Sequence, residues 1–498
     1  MSGEAPAYEE HLRLRPGVYS ATGANGELHL FRHDLWRRVA SFGSVGAGGR
    51  AVLRRLAEGP CPPSELMALG ASDPEFLGTL RSGGWVTTTL SHLGRPLYTV
   101  QPVRAPDPDV EQDVVEKDVV EQDVVEKDVV EKDIDHEVKL SGFAVFRREG
   151  EDILAEAPTS WAQVLIHDPE VAAMLTEMAR PLSTAALKGP LPEELIARLL
   201  RDLRWTGIAI PAGSDAESEW RLRQWRPHDL WFHSRSRNGN GGYFDAGFGR
   251  TKWGQGQFPP IPARREPYPG PAIDLRVPDL DEIRVRDLGL TDAIEERRSI
   301  REHDDEHPIT VDQLAELLYR CARVRRVNVW DGVEYVDTPR PAGGGVDELE
   351  LYPVVRNVAG LAPGMYHYDA HEHRLRLVRD PGPAVGRLLA TASRAAATTT
   401  WPQVLIVVSA RFGRVMWTYE EMPYALILKH VGVLFQTMYL VATAMGLAAS
   451  GLGGGDAPAF NEATGADPAV EASVGEFMLG SRPSPTADEE QAADEEQE

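Results

Sequence analysis

The most constraining feature of this sequence is a nearly unbroken apolar stretch from Tyr424 to Leu447. Its apolar residues fall on every face of a helix, which predicts a helix buried all round at the centre of a large domain. The stretch is also long enough to cross a bilayer, which takes about 20 apolar residues. Lys429, His430 and Gln436 lie inside it, however, and such side chains are costly in lipid. We therefore expect a core helix and no membrane partner.

The length and cysteine content set the broad class of the protein. At 498 residues the chain is expected to form about two to four domains with ample core. Its only cysteines are Cys61 and Cys321, too few for a disulfide framework, and its N-terminus has no apolar signal core. We expect a protein of the reducing cytoplasm.

The net charge of −24 is distributed unevenly along the chain. Residues 107–137 carry 14 acidic residues against three lysines, and residues 484–498 carry seven acidic residues and no base. The rest of the chain is only mildly acidic, at about −6. A five-residue repeat from Asp113 to Lys132 keeps no face apolar, so we predict an acidic low-complexity linker over 105–138 and a disordered acidic tail over 484–498. This balance disfavours nucleic acid as a partner.

Two short modules flank the linker, over residues 1–104 and 139–225. The stretch FLGTLRSGGWVTT in the first module aligns with RLLRDLRWTGIAI in the second, which predicts a tandem duplication. Helices followed by a β-hairpin predict a winged helix in each module. The predicted elements are strand 27–32, helices 50–58, 64–69 and 74–80 and strand 84–89 in the first module, and strands 143–147, 153–155 and 206–210 and helices 168–178 and 193–203 in the second.

The charge pattern of these modules favours a peptide over DNA. No stripe of lysine and arginine lines a predicted helix, and the acidic linker adjoins the modules. A winged helix is able to bind an extended peptide along its third helix and the edge of its wing. A scaffold or a dimerisation arm is the alternative.

The remaining chain predicts a connecting strap and a larger α+β domain. Residues 226–287 are rich in Pro and Gly with interspersed aromatic residues, which is typical of a strap packed across a domain surface. Over 288–483, helical patterns begin near Asp292 and Thr310, and apolar runs at 349–355 and 404–408 predict buried strands. A sheet sandwiched by helices is therefore expected.

Three short motifs in the larger domain indicate a flat, phosphorylated ligand. The segment RRSIR at 297–301 concentrates guanidinium groups, whose planar donors suit phosphate, and GSR at 480–482 offers a second basic anchor. The run GLGGGD at 451–456 allows the backbone to approach a flat ring closely. The alternative for the first motif is a charged, solvated helix face.

These motifs carry a resemblance to a known family. RRSIR, GLAASGLGGGD and LGSR resemble the nitroreductase-like flavoprotein fold. PRPAGGGVDELELYPVV, GLAPGMYHYDAHEHRL and VGVLFQTMYLVATAMGL resemble the SagB/ThcOx-type azoline dehydrogenases of ribosomal peptide pathways, including thiopeptides and cyanobactins. The resemblance covers about residues 288–482, and the N-terminal modules are similar to the winged-helix leader-recognition domains found with such enzymes.

The resemblance implies a cofactor and a reaction. FMN would bind at a homodimer interface, and thiazoline or oxazoline rings of a precursor peptide would be oxidised to thiazole or oxazole, with oxygen reoxidising the flavin. A cyclodehydratase would be a further partner. The implied cofactor residues are Arg297, Ser299 and Arg301 on the phosphate and ribityl chain, Arg482 on the phosphate, Ala342, Gly343 and Gly344 beside the pyrimidine ring, and Gly451, Gly453 and Gly454 beside the N5 edge.

The general base departs from the family pattern. Relatives carry a Lys-Tyr pair, whereas this chain has Thr418 and Tyr419. Our first candidate is Tyr419, the second is Lys429 with a pKa lowered by burial, and the third is His430. The alternatives are a core aromatic residue for Tyr419, an interface ion pair for Lys429 and a structural hydrogen bond for His430, which is the favoured interpretation of that histidine.

Two other functions remain open from the sequence. The first is a flavin nitroreductase or quinone reductase driven by NAD(P)H, although such an enzyme has no need of about 280 N-terminal residues. The second is a non-catalytic peptide-binding scaffold, in which Thr418 marks lost activity.

Overall fold

The computed structural model describes residues 8–23, 26–32, 37–69, 74–106, 137–183, 186–187, 190–237, 254, 256–419 and 422–483. The chain divides into two compact units, Met1–Gly247 and Phe248–Glu498. The acidic repeat and the acidic tail predicted from the sequence lie outside the described residues.

The N-terminal unit is built from short strands and helices in both predicted modules. Most of the predicted segments are present, with strands β1, β2, β4, β6, β7 and β10 in addition. The elements are β1 Glu9–Leu14, β2 Val18–Thr22, β3 Glu27–Arg32, β4 Arg37–Ser44, α1 Ala47–Glu58, α2 Pro63–Ala68, α3 Pro74–Ser82, β5 Val86–His92, β6 Arg95–Pro102, β7 Val138–Leu140, β8 Val145–Glu149, β9 Asp152–Glu156, β10 Ala162–Ile166, α4 Pro169–Glu177, α5 Glu193–Thr206, β11 Ala209–Pro211, α6 Trp220–Arg223 and α7 Pro227–Ser236.

A single six-stranded sheet joins the two modules. Its order is β1-β5-β6-β10-β9-β8, and the junction is the antiparallel pair β6–β10, in which Val100 lies opposite Val164. A buried hydrogen bond reinforces the junction, because the Tyr98 hydroxyl in β6 donates to Asp202 in α5 at 2.8 Å. Helices α1 to α3 precede the hairpin β5–β6, but in the second module the hairpin β8–β9 precedes α4 and α5. The winged-helix assignment stays a prediction.

The C-terminal unit is an α+β domain, as predicted. Its elements are β12 Ala272–Asp274, α8 Leu280–Arg286, α9 Leu290–Glu296, α10 Val311–Ala322, β13 Arg326–Trp330, β14 Val333–Asp337, β15 Leu349–Val355, β16 Gly364–Asp369, β17 Arg374–Arg379, α11 Pro383–Ala396, β18 Val404–Arg411, α12 Phe412–Met416, α13 Pro423–Ala444, β19 Leu447–Leu452, α14 Ala457–Thr464 and β20 Glu471–Ser481.

A seven-stranded sheet of order β12-β17-β16-β15-β18-β20-β19 divides this unit into two layers. Strand β18 is buried along its whole length because both of its faces are covered. On one face of β18, Val404, Ile406 and Val408 pack with residues of α10 and α13. On the other face, Leu405 and Val407 pack with residues of α11 and α14. This double burial explains the unbroken apolar run of β18.

Helix α13 is the central helix, but it is not buried all round. Leu434 and Met438 are fully buried in the core of the domain. Tyr424 and Leu428 are each 41% exposed, and Gly432 and Gln436 continue the same face at four-residue spacing. The prediction of complete burial was wrong for the single chain, because one apolar face points away from the core.

The segment that leads into the domain is packed against it over the described residues 256–287. Arg411 donates to the carbonyl oxygens of Ala263 and Pro262 at 2.9 and 2.8 Å, and Arg414 donates to that of Ile261 at 2.7 Å. Guanidinium groups therefore satisfy backbone acceptors that burial would otherwise leave unpaired. Strand β12 then adds the end of the strap to the sheet.

Candidate active site

The segment after α9 runs along the outer edge of strand β19. The amide of Ile300 donates to the Ala449 carbonyl at 3.0 Å, and further on the Ser481 hydroxyl donates to the Asp304 carbonyl at 2.9 Å. Because Ser481 pairs with Leu447 in the sheet, the segment runs from the glycine end of β19 towards its start. The RRSIR motif is thus held beside both the glycine run and the GSR motif.

A buried glutamine fastens this segment to strand β20. Gln403 is fully buried, and its amide nitrogen donates to the Asp304 carbonyl at 2.7 Å. Its amide oxygen accepts from the backbone amides of Ser481 at 3.0 Å and Ile309 at 3.2 Å. Sequence reasoning missed Gln403, although a polar residue at the start of an apolar strand was a visible signal.

Tyr439 on α13 brings three of the predicted cofactor residues together. Its hydroxyl lies 3.0 Å from the Ser299 hydroxyl and accepts from the Gly451 amide at 2.7 Å, and the Arg297 guanidinium lies 5.4 Å from the centre of its ring. Partial burial raises the pKa of Tyr439, but hydrogen bonds with Ser299, the Gly451 amide and Ser450, together with the Arg297 charge, outweigh burial and lower the pKa below its ordinary value. No sequence motif had assigned a role to this tyrosine.

The loop that contains Ala342, Gly343 and Gly344 is held by His430. The Gly343 amide donates to His430 Nε2 at 2.7 Å, so this nitrogen carries no proton. His430 Nδ1 therefore carries the hydrogen and donates to the fully buried carboxylate of Glu348 at 2.8 Å. Both ring nitrogens of His430 are engaged, in accord with its structural interpretation.

Tyr419 lies against the same loop. Gly344 has a φ of +61°, and a Cβ atom there would lie 2.7 Å from the Tyr419 hydroxyl oxygen. Only glycine adopts this positive φ without strain and also leaves room for the Tyr419 hydroxyl. Partial burial, with a smaller contribution from the Tyr335 phenol, raises the pKa of Tyr419. The first candidate base and the predicted pyrimidine loop are thus neighbours.

Thr418 and Lys429 do not form a second catalytic group in the single chain. The Thr418 hydroxyl donates to the Arg414 carbonyl one turn earlier at 3.3 Å, which is a common local bond for threonine in a helix. Lys429 lies on the exposed side of α13. The burial on which its predicted pKa shift depended is absent from the single chain.

The donor groups fit a flat ligand with an anionic arm. Gly453 and Gly454 are exposed, and a Cβ at either position would meet no described atom within 4 Å. Arg301 is exposed and forms no ion pair with any described carboxylate, and Arg482 uses its Nε atom for the Leu447 carbonyl at 3.3 Å. Cationic donors without carboxylate partners beside open backbone are suited to a phosphorylated aromatic ring.

Comparison with family models finds a match within each unit. Residues 294–481 match the Nitroreductase family, and residues 138–241 match the family described as Cyanobactin oxidase ThcOx. The C-terminal unit has a nitroreductase-like fold. Together the two matches confirm the resemblance of the chain to SagB/ThcOx-type enzymes and the nitroreductase-like fold.

The individual proteins that this chain resembles are distant in sequence. Putative nitroreductase MJ1384 of Methanocaldococcus jannaschii is 27% identical over 184 residues, which cover 37% of this chain and 85% of that protein. Trifolitoxin-processing protein TfxB of Rhizobium leguminosarum bv. trifolii is 27% identical over 143 residues, which cover 28% of this chain and 38% of TfxB. The crystal structure of a putative nitroreductase from Ralstonia eutropha JMP134 is 22% identical with a TM-score of 0.35, over 45% of this chain and 96% of that one.

Proposed function

We propose that this protein is an FMN-dependent dehydrogenase that oxidises thiazoline or oxazoline rings to thiazole or oxazole in a ribosomally made precursor peptide. The observation that carries the proposal is the succession, in one chain, of a segment matching the cyanobactin oxidase model and a nitroreductase-family domain. The likeness to a protein named for processing trifolitoxin also supports a role in the maturation of a peptide.

The cofactor would be held by groups from distant parts of the chain. Arg297, Ser299, Arg301 and Arg482 would bind the phosphate and the ribityl chain, since these cations and the hydroxyl lie along one edge strand. Residues 342–344 and 451–454 would flank the ring system. When bound, FMN supplies the hydride acceptor and passes the electrons on to oxygen.

The remaining task of the protein is to remove one proton. Aromatisation of an azoline removes a hydride from one ring carbon and a proton from its neighbour. Tyr419 is our first candidate to accept this proton. Because burial raises its pKa, it would be protonated, and it would take the ring proton while its own hydroxyl proton passes to solvent, to which Tyr419 is partly exposed. Lys429 is second, and it would require a partner subunit to bury it. We assign His430 to holding the 342–345 loop.

Further partners follow from the same proposal. The exposed face of α13 would form the contact between two copies of the chain. The N-terminal unit would bind the leader of the precursor peptide, for which β8 offers a strand at the edge of the sheet. A cyclodehydratase must first form the azoline rings. Cys61 and Cys321 are buried and form no disulfide, which is consistent with a cytoplasmic enzyme.

The decisive experiment is mass spectrometry of an azoline-bearing precursor peptide after incubation with the enzyme and FMN. We expect a loss of two hydrogens per ring, and a strong decrease in rate for Tyr419→Phe and a smaller one for Lys429→Ala. Tyr366→Phe is the matched control, because it removes a hydroxyl that donates only to the Ala362 carbonyl. Full turnover in both test variants would show that the base lies elsewhere, and no mass change with the wild type would reject the proposed reaction.

A reductase that uses NAD(P)H is the second candidate. It is favoured by the likeness to MJ1384, which this chain matches over 85% of that protein. Anaerobic addition of NADPH to the FMN-loaded protein separates the two functions. Prompt bleaching of the visible flavin band would favour the reductase, whereas bleaching only with an azoline peptide would favour the dehydrogenase.

A further inference from the structure

The Tyr439 hydroxyl links the predicted phosphate anchor to the glycine run. Ser299 lies 3.0 Å away on one side, and the Gly451 amide donates to the same oxygen at 2.7 Å on the other. The tyrosine is on α13, the serine is in the segment after α9, and the glycine is in β19. One phenol oxygen thus connects three elements, and the sequence motifs assigned no role to it.

The directions of these hydrogen bonds follow from the groups involved. A backbone amide is only a donor, so the phenol oxygen of Tyr439 must accept from Gly451. Tyr439 still has its own hydrogen to donate, and two hydroxyls lie near it. The Ser450 hydroxyl donates to the Gly451 carbonyl at 3.4 Å, whereas the Ser299 hydroxyl lies 3.0 Å from the Tyr439 oxygen and is the acceptor that we infer. If the Ser299 oxygen accepts from Tyr439, its own hydrogen is free to point outward. Ser299 is exposed, so that hydrogen faces the open side of the segment.

We infer that Tyr439 is a positioning residue that makes Ser299 a fixed hydrogen-bond donor towards the FMN phosphate. The inference rests on the proposed function, because it needs FMN as the ligand. The chain of bonds runs from the Gly451 amide to the Tyr439 hydroxyl, then to the Ser299 hydroxyl and finally to a phosphate oxygen. The Arg297 guanidinium lies 5.4 Å from the centre of the Tyr439 ring, close enough to be attracted to the ring face.

This arrangement changes the role expected for Gly451. Its amide hydrogen is already used by Tyr439, so the amide is not available to the flavin ring. A Cβ at Gly451 would also lie 3.0 Å from the Phe435 ring, so this glycine is required for the close packing of β19 on α13. Gly453 and Gly454 remain open towards a ring.

A fixed donor discriminates between phosphate and hydroxyl groups. Phosphate oxygens at pH 8 only accept hydrogen bonds, so a serine that must donate suits them. Riboflavin ends in a hydroxyl, which donates or accepts and therefore gains little from a fixed donor. Tyr439 is thus expected to raise the preference of the protein for FMN over riboflavin.

The test compares the binding of FMN and riboflavin to flavin-free full-length protein by quenching of flavin fluorescence. We expect Tyr439→Phe to raise the dissociation constant for FMN about tenfold, the usual effect of losing one hydrogen bond to a charged group. The dissociation constant for riboflavin should change less than about twofold. Ser299→Ala should show the same pattern, and the double variant should bind FMN no more weakly than Ser299→Ala, because both changes interrupt one chain of bonds.

The possible results of this test separate a failure of the inference about Tyr439 from a failure of the proposed function. Equal weakening of FMN and riboflavin by Tyr439→Phe, or additive effects in the double variant, would overturn the inference and leave the proposed function standing. Wild-type protein that binds no FMN would overturn both. Because Ser299 is exposed, Ser299→Ala is expected to fold normally and keeps the test valid if Tyr439→Phe is unstable. Unchanged FMN preference in Ser299→Ala would also overturn the inference.

Discussion

The hydroxyl of Tyr439 is ionisable, so the role that we infer for it would make FMN binding depend on pH. Its pKa lies below the ordinary value of about 10 because of its hydrogen bonds and the Arg297 charge. The groups that face it are Arg297, Ser299, Ser450 and the Gly451 amide. Once ionised, the phenolate would accept from Ser299, and that serine would no longer donate to the phosphate proposed above.

We therefore predict that FMN affinity falls as the pH rises through the Tyr439 pKa. The decrease should be about tenfold between pH 8 and the end of the titration, a range in which the phosphate itself is already fully ionised. Fluorescence titrations at several pH values would measure it. Tyr439→Phe should give a flat profile, and a wild-type profile as flat as that of the variant would contradict the prediction.

Gly344 provides a second prediction for a single residue. Gly344→Ala places a Cβ 2.7 Å from the Tyr419 hydroxyl oxygen at a φ of +61°, so it should destabilise the protein by about 2–3 kcal/mol. Gly345→Ala is the matched control, because Gly345 has a φ of +69° but its nearest contacts are at 3.8 Å. It should cost only about 1 kcal/mol of backbone strain. Urea unfolding would measure both values, and equal costs would show that Tyr419 does not press on Gly344.

Residues within contiguous motifs were predictable, whereas those that join motifs were not. Arg297, Ser299 and Gly451 were assigned to one site because RRSIR and the glycine run each have a chemical meaning of their own. Tyr439 contacts Ser299 across 140 positions of sequence, and in the apolar helix it looks like any core aromatic residue. Gln403 likewise gains its role only from partners brought to it by the fold.

At the scale of elements, the pair of His430 and Glu348 should control the 342–345 loop. His430→Phe leaves the buried Glu348 carboxylate without its side-chain partner and frees the Gly343 amide, so we expect a loss of about 3 kcal/mol in stability together with weaker FMN binding. Glu348→Gln should cost clearly less, because an amide oxygen still accepts from His430 Nδ1. Lost turnover with unchanged stability and FMN affinity would instead identify His430 as the base.

The exposed face of α13 should be the contact between subunits. Leu428→Glu places a charge on this face and should raise the dimer dissociation constant by about a hundredfold, measured by light scattering after size exclusion. Val285→Glu is the control, because Val285 is a more exposed apolar residue, at 89%, on a different helix, α8. A wild-type protein that is monomeric at all concentrations would contradict this role for α13.

The character of α13 was only partly predictable. Its existence and near-complete bounds followed from the apolar run, but the prediction of burial all round did not hold for one chain. Apolar residues give the same sequence pattern whether they face the core of their own domain or the surface of another protein. Leu434 and Leu428 therefore look alike in the sequence. Only their burial in the folded domain distinguishes them, since Leu434 is enclosed by the core and Leu428 is exposed.

At the scale of the whole molecule, the N-terminal unit should act on substrate binding rather than on chemistry. A tethered leader raises the effective concentration of the rings, so removal of the leader from the precursor should raise KM by about a hundredfold and leave kcat nearly unchanged. Steady-state kinetics with full-length and leaderless peptides would measure this. An equal KM for the two peptides would show that the N-terminal unit does not recruit the substrate.

At this scale, the elements within each unit were predictable from the sequence, but the strand pairing that joins the two N-terminal modules was not. The helices and hairpins of both N-terminal modules were visible as local patterns, and so was the α+β character of the C-terminal domain. The pairing of β6 with β10 was not, since strand partners far apart in sequence leave no periodic signal in either strand.

The pairing of β6 with β10 makes the two N-terminal modules parts of one continuous sheet. Pulling β10 from β6 would break the hydrogen-bond ladder between them and expose the Tyr98–Asp202 contact to water. Heat or denaturant should therefore melt both modules in one cooperative transition, and a leader peptide bound to either would stabilise the other. Although a long acidic stretch separates them along the chain, the two modules should respond to a bound leader peptide as one body.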